Sequence, residues 1–81
     1  MNRATLEKVF EYASMPLHGT LSRKLRKGVR VQINEDKIYG EAVMFLGDEF
    51  LRISENSDSE AINTYYSWEK ICSVRTISKQ E

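Results

Sequence analysis

The sequence is poor in the residues that build disulfide scaffolds, metal sites and nucleophilic active sites. Its 81 residues include one cysteine, one histidine and one proline. A lone cysteine, Cys72, cannot form a disulfide framework within the chain, and one histidine with one cysteine is too few ligands for a zinc site. Cys72 has no predicted histidine partner, and the chain has no glycine-rich phosphate loop. We therefore expect no metal, no cofactor and no enzymatic activity.

Long apolar stretches are also missing. The longest runs from Ala42 to Leu46, whereas a membrane-spanning helix needs about 20 apolar residues. Arg3, Glu7 and Lys8 place charges where a secretory signal would be apolar. A chain of 81 residues suits one small domain and excludes a multi-domain enzyme. We expect a cytoplasmic protein without a membrane partner, whose thin core would gain stability from association with further copies.

The absence of a net charge conceals an uneven distribution. Twelve basic residues balance twelve acidic ones, but residues 1–30 carry seven basic and two acidic side chains, whereas residues 31–62 carry two basic and eight acidic ones. Five basic residues cluster in what we call the basic segment: Arg23, Lys24, Arg26, Lys27 and Arg30. This segment can attract phosphate groups. It can equally face an acidic patch on a second copy of the chain.

Near the start of the chain, apolar residues recur at helical spacing. They are Leu6, Val9, Phe10 and Ala13. This stripe predicts an amphipathic helix, with Asn2 as its N-cap. Pro16 disfavours helical geometry at the residue before it, so the helix should end near Ser14. A helix of this length is not stable alone, and its stripe must pack on another element.

After Gly28 the apolar period changes to that of β-strands. The predicted strands are residues 29–33, 38–46, 50–53, 62–68 and 71–77. Gly40 lies inside the second strand and permits a sharp bend. Before the strands, Leu21 and Leu25 are spaced for one or two helical turns, and residues 55–60 have no apolar side chain, which predicts an exposed loop. Five short strands with an internal bend favour a small closed barrel, because closure removes exposed edges.

Two groups of residues resemble the motifs of a known family. Gly40, then Phe45 and the apolar strand 50–53, resemble a first motif of glycine, aromatic residue and strand. Residues 68–74 resemble a second motif, in which a tight turn links the last two strands. With its helix followed by five strands, the chain resembles the Sm-like family, which includes the Sm, LSm and Hfq proteins. The similarity covers residues 16–77.

The resemblance implies a mostly β fold. We expect a helical extension over residues 1–15, a strongly bent five-stranded antiparallel SH3-like (Sm-like) barrel over residues 16–77 and a frayed tail over residues 78–81. It also implies a non-catalytic protein that forms a homo-oligomeric ring of about five to seven copies. Such a ring would bind single-stranded RNA and no small-molecule substrate.

The residues that read bases in this family are largely absent from the chain. Leu46 stands where the family has aspartate, and Trp68 and Glu69 occupy the turn where it has Arg-Gly or Lys-His. The predicted RNA contacts are therefore the basic segment, for phosphates, and Phe50 and Trp68, which fall at turns, for stacking on bases. Lys70 joins them as the basic residue of the second turn.

The resemblance also implies an interface between copies, since in this family the fourth strand pairs with the fifth strand of the neighbouring subunit. The predicted interface residues are Tyr65, Tyr66, Cys72 and Val74. Other interpretations remain open. Phe50 and Trp68 also suit a core or an interface, and Lys70 also suits an ordinary surface position. The alternative function is an SH3-like protein–protein assembly module without RNA binding, in which basic and acidic segments recognise each other.

Overall fold

A computed structural model describes residues 1–80 as a mostly β protein with one N-terminal helix. Helix α1 spans Arg3–Ala13, and a short 3-10 helix spans Trp68–Lys70. The strands are β1 Ser14–Pro16, β2 Ser22–Leu25, β3 Arg30–Ile33, β4 Ile38–Tyr39, β5 Val43–Leu46, β6 Phe50–Ser57, β7 Glu60–Ser67 and β8 Val74–Ile77. The predicted fold class, an N-terminal helix followed by antiparallel sheet, is confirmed at this level.

Helix α1 is defined by its two ends. The Asn2 side chain accepts a hydrogen bond from the backbone N–H of Thr5 at 2.9 Å, which satisfies one free donor of the first turn. At the other end, the backbone N–H of Ser14 donates to the carbonyl oxygen of Phe10. The predicted helix is thus confirmed at both ends. Leu6, Phe10 and Ala13 of its apolar stripe are buried in the same core as the strands. Strand β1 continues directly from the helix across the predicted domain boundary at residues 15 and 16.

The strands form two antiparallel sheets. One has the order β1-β2-β5-β6-β7 and the other the order β4-β3-β8. The segment predicted as one bent strand, residues 38–46, contributes β4 to one sheet and β5 to the other. The chain turns between them at residues 40–42, where Glu41 has a positive φ of 53°. The pairings of residues 1–80 form two sheets, so a closed five-stranded barrel is not confirmed.

Three local predictions are wrong. The segment containing Leu25 is not helical, because its residues form β2, which pairs with β1 on one side and β5 on the other. Residues 55–60 are not a loop, since β6 and β7 remain paired as far as Ser57 and Glu60 around a tight turn. The last strand starts at Val74 and not at Ile71, because residues 71–73, which follow the 3-10 helix, have no regular structure.

The core lies between the two sheets and is closed by α1. Its buried hydrophobic residues come from nearly every element: Leu6, Phe10, Ala13, Leu25, Val31, Ile33, Tyr39, Ala42, Met44, Leu51, Ile53, Trp68 and Ile71. Ser14 is the buried polar residue beside them. Of the predicted tail, residues 78–80 have no regular structure, and residue 81 lies outside the described residues.

Candidate nucleic-acid interface

The alternation of side chains gives the five-stranded sheet two different faces. On the inner face Met44, Leu51 and Ile53 are fully buried. Residues directly opposite each other on paired strands share a face, so the registers define the other side. We call it the outer face, and its residues are Met15, Ser22, Lys24, Val43, Phe45, Phe50, Arg52, Ser54, Asn56, Ala61, Asn63, Tyr65 and Ser67.

Three rings on the outer face form an aromatic cluster of Phe45, Phe50 and Tyr65. The ring centroids of Phe45 and Phe50 are 6.1 Å apart, and those of Phe50 and Tyr65 are 5.6 Å apart. Both pairs are tilted, as aromatic pairs prefer. Phe45 and Phe50 are half-buried, whereas Tyr65 is 60% exposed. The cluster therefore presents ring surface to solvent on a rigid sheet.

Arg52 lies within this cluster. Its guanidinium carbon is 5.2 Å from the ring centroid of Phe45, within the range of a cation–π contact. Arg52 forms no ion pair with residues 1–80, and its buried Nε has no hydrogen-bond partner among them. The positive charge of Arg52 is thus held over an aromatic ring and is not neutralised by a carboxylate. With Lys24, it makes the outer face cationic, because no outer-face residue is acidic.

A groove of about 990 Å³ adjoins the outer face. We call it the basic groove, because four members of the basic segment line it: Lys24, Arg26, Lys27 and Arg30. The chain reverses here, with the backbone N–H of Val29 donating to the carbonyl of Arg26 at 3.0 Å and Gly28 at a φ of +82°. Two carboxylates, Glu41 and Glu55, also line the groove, so the basic side chains outnumber the acidic ones. Lys24 belongs both to this groove and to the outer face.

The fifth member of the basic segment has a structural role instead. Arg23 is half-buried, and its Nε donates to the Ser14 hydroxyl oxygen at 2.8 Å. Its Nη2 donates to the Ser14 carbonyl oxygen at 3.1 Å. Arg26 is bonded more loosely, since only its Nε is engaged, with the Tyr12 carbonyl oxygen at 2.9 Å, and the residue stays exposed. The structure therefore separates Arg23 from the four residues of the groove.

The two predicted stacking residues lie in different environments. Phe50 belongs to the aromatic cluster, but Trp68 is buried in the core. The indole N–H of Trp68 donates to the carbonyl oxygens of Gly47 and Asp48, both at 3.1 Å. Its ring is therefore unavailable to a base. The alternative interpretation of Trp68, a position in the core, is the one that the structure shows. Lys70 is exposed on the 3-10 helix and does not line the basic groove.

The predicted interface residues also lie in different environments. Tyr65 is exposed on β7, whereas Tyr66 is half-buried on the opposite face, with its hydroxyl 2.7 Å from that of Tyr39. Burial, followed by this hydrogen bond, raises the pKa of Tyr66 above its ordinary value. Cys72 is exposed and lies before β8, not within it, and Val74 packs against the core. Strands β7 and β8 are each at an edge of their sheet.

A second cleft, of about 800 Å³, lies beside the aromatic cluster at the end nearest α1. We call it the acidic cleft, because its carboxylates outnumber its basic side chains. The acidic residues are Glu7, Glu11, Asp48 and Glu49, and the basic residues are Arg3 and Arg23. The Arg3 guanidinium is already paired, at 3.0 Å from both Glu7 and Asp48. Phe45 and Phe50 themselves line the acidic cleft, whereas the basic groove reaches the outer face through Lys24.

Neither Phe45 nor Arg52 is among the residues predicted for the site. Their signal was present, because both alternate with residues of the inner face along β5 and β6. Arg52, between Leu51 and Ile53 in the predicted strand 50–53, has to lie on the face opposite the core.

Within residues 1–80, no three histidine, cysteine, aspartate or glutamate side chains are grouped so that they could hold a metal ion. None of the helices in that part of the chain is long and apolar enough to cross a membrane. Comparison of the chain with protein-family models, with curated proteins and with solved structures gave no match.

Proposed function

We propose that the chain is a non-catalytic RNA-binding protein that holds the phosphate backbone of RNA in the basic groove. One observation carries this proposal. Lys24, Arg26, Lys27 and Arg30 line a single groove, all four are exposed, and none of them is ion-paired within residues 1–80. Clustered, unneutralised cations attract polyanions through counterion release, which makes such binding weaken as salt rises.

The strand pairings support an SH3-like, and more finely an Sm-like, architecture for this protein. If β4 and β5 are taken as two halves of one bent strand, four strands from β3 to β7 follow one another as neighbours. The fifth strand, β8, returns to pair with β3, while β7 and β8 remain unpaired with each other. A strand sequence that returns to its own start is the arrangement from which small barrels close. In this architecture α1, β1 and β2 are additions that pack against the core and against β5.

The second candidate function is assembly into a homo-oligomeric ring. If that assembly binds no RNA, the chain is a protein–protein assembly module. The ring is favoured by the two sheet edges at β7 and β8, since strand pairing between copies would satisfy both. Ile62, at 41% exposure, and Tyr65 add apolar surface along the β7 edge. Light scattering tests this candidate directly. A mass of several chains supports the ring, and a monomeric mass across micromolar concentrations excludes it.

Fluorescence anisotropy with labelled U-rich and A-rich oligonucleotides tests RNA binding. The variant Lys24→Glu/Lys27→Glu/Arg30→Glu reverses the charge of the groove. A matched control, Lys8→Glu/Arg75→Glu/Lys79→Glu, makes the same change in net charge at exposed positions outside the groove. We expect the groove variant to lose at least about tenfold in affinity at low salt, because it replaces phosphate contacts with repulsion, and the control to retain most of it.

Two results would contradict the proposal. One is the absence of binding by the unmodified protein below about tens of micromolar at low salt, where even non-specific electrostatic binding is detectable. The other is an equal loss of affinity in both triple variants, which would assign the effect to net charge and not to the basic groove.

A further inference from the structure

We infer that the aromatic cluster of Phe45, Phe50 and Tyr65 is a base-stacking platform, so that the ligand is a single-stranded nucleic acid with accessible bases. This inference rests on the proposed function, since the same strand would hold its phosphates in the basic groove. It adds the class of ligand, because phosphate binding alone does not distinguish single strands from duplexes.

The position of the rings supports a platform. Three aromatic side chains are adjacent on the outer face, although the core on the inner face is complete without them. Exposed clusters of apolar side chains mark binding surfaces. Rings held side by side on a sheet stack on successive bases with little dependence on sequence, because every base has a π-face.

The charge of the outer face also favours a nucleic acid. This face carries Lys24 and Arg52 and no acidic residue, and the carboxylates nearest the rings lie in the acidic cleft, which Phe45 and Phe50 line at the α1 end. The guanidinium of Arg52, held over Phe45 without an ion-pair partner among the described residues, widens the planar surface and adds hydrogen-bond donors. Cations interleaved with rings complement a strand that alternates phosphates with bases.

The platform and the basic groove lie close together on the sheet. Lys24 lies opposite Val43, two residues along β5 from Phe45. Two residues of a strand span about 7 Å, so one strand of nucleic acid can contact the groove and the cluster together. The acidic cleft at the α1 end, lined by Asp48 and Glu49, repels phosphates. The bound strand is therefore expected to leave the groove across β6 and β7.

The test compares variants that remove π-faces and keep apolar bulk. Phe50→Leu/Tyr65→Leu removes two rings of the platform, and Tyr65→Leu alone removes the more exposed one. Tyr12→Leu is the matched control, because Tyr12 is 58% exposed, close to the 60% of Tyr65, but lies on α1. The probes are a labelled A-rich single-stranded RNA, a duplex RNA of equal length and inorganic polyphosphate, which has phosphates but no bases. Circular dichroism checks the fold of each variant.

We expect the unmodified protein to bind single-stranded RNA more tightly than the duplex. Loss of stacking should weaken single-strand binding about fivefold or more for each base affected. The double variant should show the largest loss, Tyr65→Leu a smaller loss and Tyr12→Leu none. Polyphosphate affinity should stay within about twofold in all three variants, because the groove is intact, and should fall in the groove variant.

The outcomes separate the two proposals. If the groove variant loses RNA binding while the double variant keeps it, the platform is wrong and the proposed function stands. Equal affinity for single strand and duplex also overturns the platform. If the double variant keeps RNA binding but its mass falls in light scattering, the outer face is a contact with a second copy and the inference is wrong. If the unmodified protein binds neither RNA nor polyphosphate, the proposed function itself fails.

Discussion

The two faces of β5 and β6 are built from alternating residues of the same segments, yet they differ in kind. The inner face has the aliphatic side chains of Leu51 and Ile53, which are fully buried against the second sheet and α1. The outer face has Phe45, Phe50 and Arg52, which contact one another and remain partly open to solvent. Burial in the core accounts for the inner-face residues, whereas no comparable burial accounts for the outer-face residues.

Along β5 and β6, residues that stabilise the fold therefore alternate with residues that remain available for binding. Side chains that fill a closed core contribute through the apolar area removed from water and through close packing. Side chains on an open face contribute less to folding and retain surface for a partner. Substitutions one residue apart on β6 should therefore affect different measurements, and the following predictions test that separation from the largest effect on stability to the smallest.

Replacement of Ile53 by alanine should give the largest loss. Ile53 is fully buried at the centre of the inner face, and truncation of such a residue removes buried methyl groups and leaves a cavity. We expect the free energy of unfolding to fall by about 2–5 kcal/mol, measured by urea denaturation with circular dichroism. A loss below about 1 kcal/mol would show that the inner face is not the core.

Replacement of Ser14 by alanine should cost about 1–3 kcal/mol. The Ser14 hydroxyl donates to the Phe10 carbonyl and accepts from the Arg23 Nε. Alanine leaves the part-buried Arg23 guanidinium with one partner fewer. Urea denaturation measures the loss, and Ser22→Ala, on the outer face, is the control. If both variants unfold like the unmodified protein, Ser14 does not join the helix to β2 through this network.

Much of the fold was predictable because its signals are local. Asn2 and Pro16 mark the ends of α1, and the alternation after Gly28 marks the strands. Strand β2 was not predictable, because the spacing of its leucines fits a helix and only pairing with β1 and β5 makes it extended. The polar hairpin at residues 55–60 was missed for a similar reason, since its strands are stabilised by pairing with each other and not by an apolar face.

The candidate site was predictable only where residues that are close in the sequence also lie close together in the fold. Four of the five basic residues line one groove, because they lie on β2, in the turn after it and at the start of β3. The role of Arg23 depends on Ser14, nine residues away, and the burial of Trp68 depends on carbonyl groups of the β5–β6 turn. The aromatic cluster joins three strands, so only their register brings its rings together.

Replacement of Tyr66 by phenylalanine should cost about 1 kcal/mol near neutral pH, because it leaves the buried hydroxyl of Tyr39 without this partner. The pKa of Tyr66 is raised in the folded protein, chiefly by burial, above its ordinary value of 10.0. Above about pH 10 the unfolded chain loses this proton while the folded protein keeps it. Stability should therefore be complete below pH 10 and fall as pH rises further.

The same substitution should reduce this alkaline loss. Urea denaturation at several pH values between about 9 and 11 measures the slope of stability against pH. The slope should be shallower in Tyr66→Phe than in the unmodified protein, because one group that titrates differently in the two states has been removed. An identical slope would show that the raised pKa of Tyr66 does not contribute to alkaline unfolding.

Replacement of Tyr65 by alanine should have the smallest effect on stability, although Tyr65 is the immediate neighbour of Tyr66 on β7. Tyr65 is 60% exposed and its ring contacts Phe50 across the strand pair. Cross-strand pairs of this kind contribute about 0.2–1 kcal/mol, so the loss in urea denaturation should stay below about 1 kcal/mol. A loss as large as that of Ile53→Ala would place Tyr65 in the fold and remove the reason to regard the outer face as a binding surface. A small loss together with weakened RNA binding would assign the inner face to folding and the outer face to recognition.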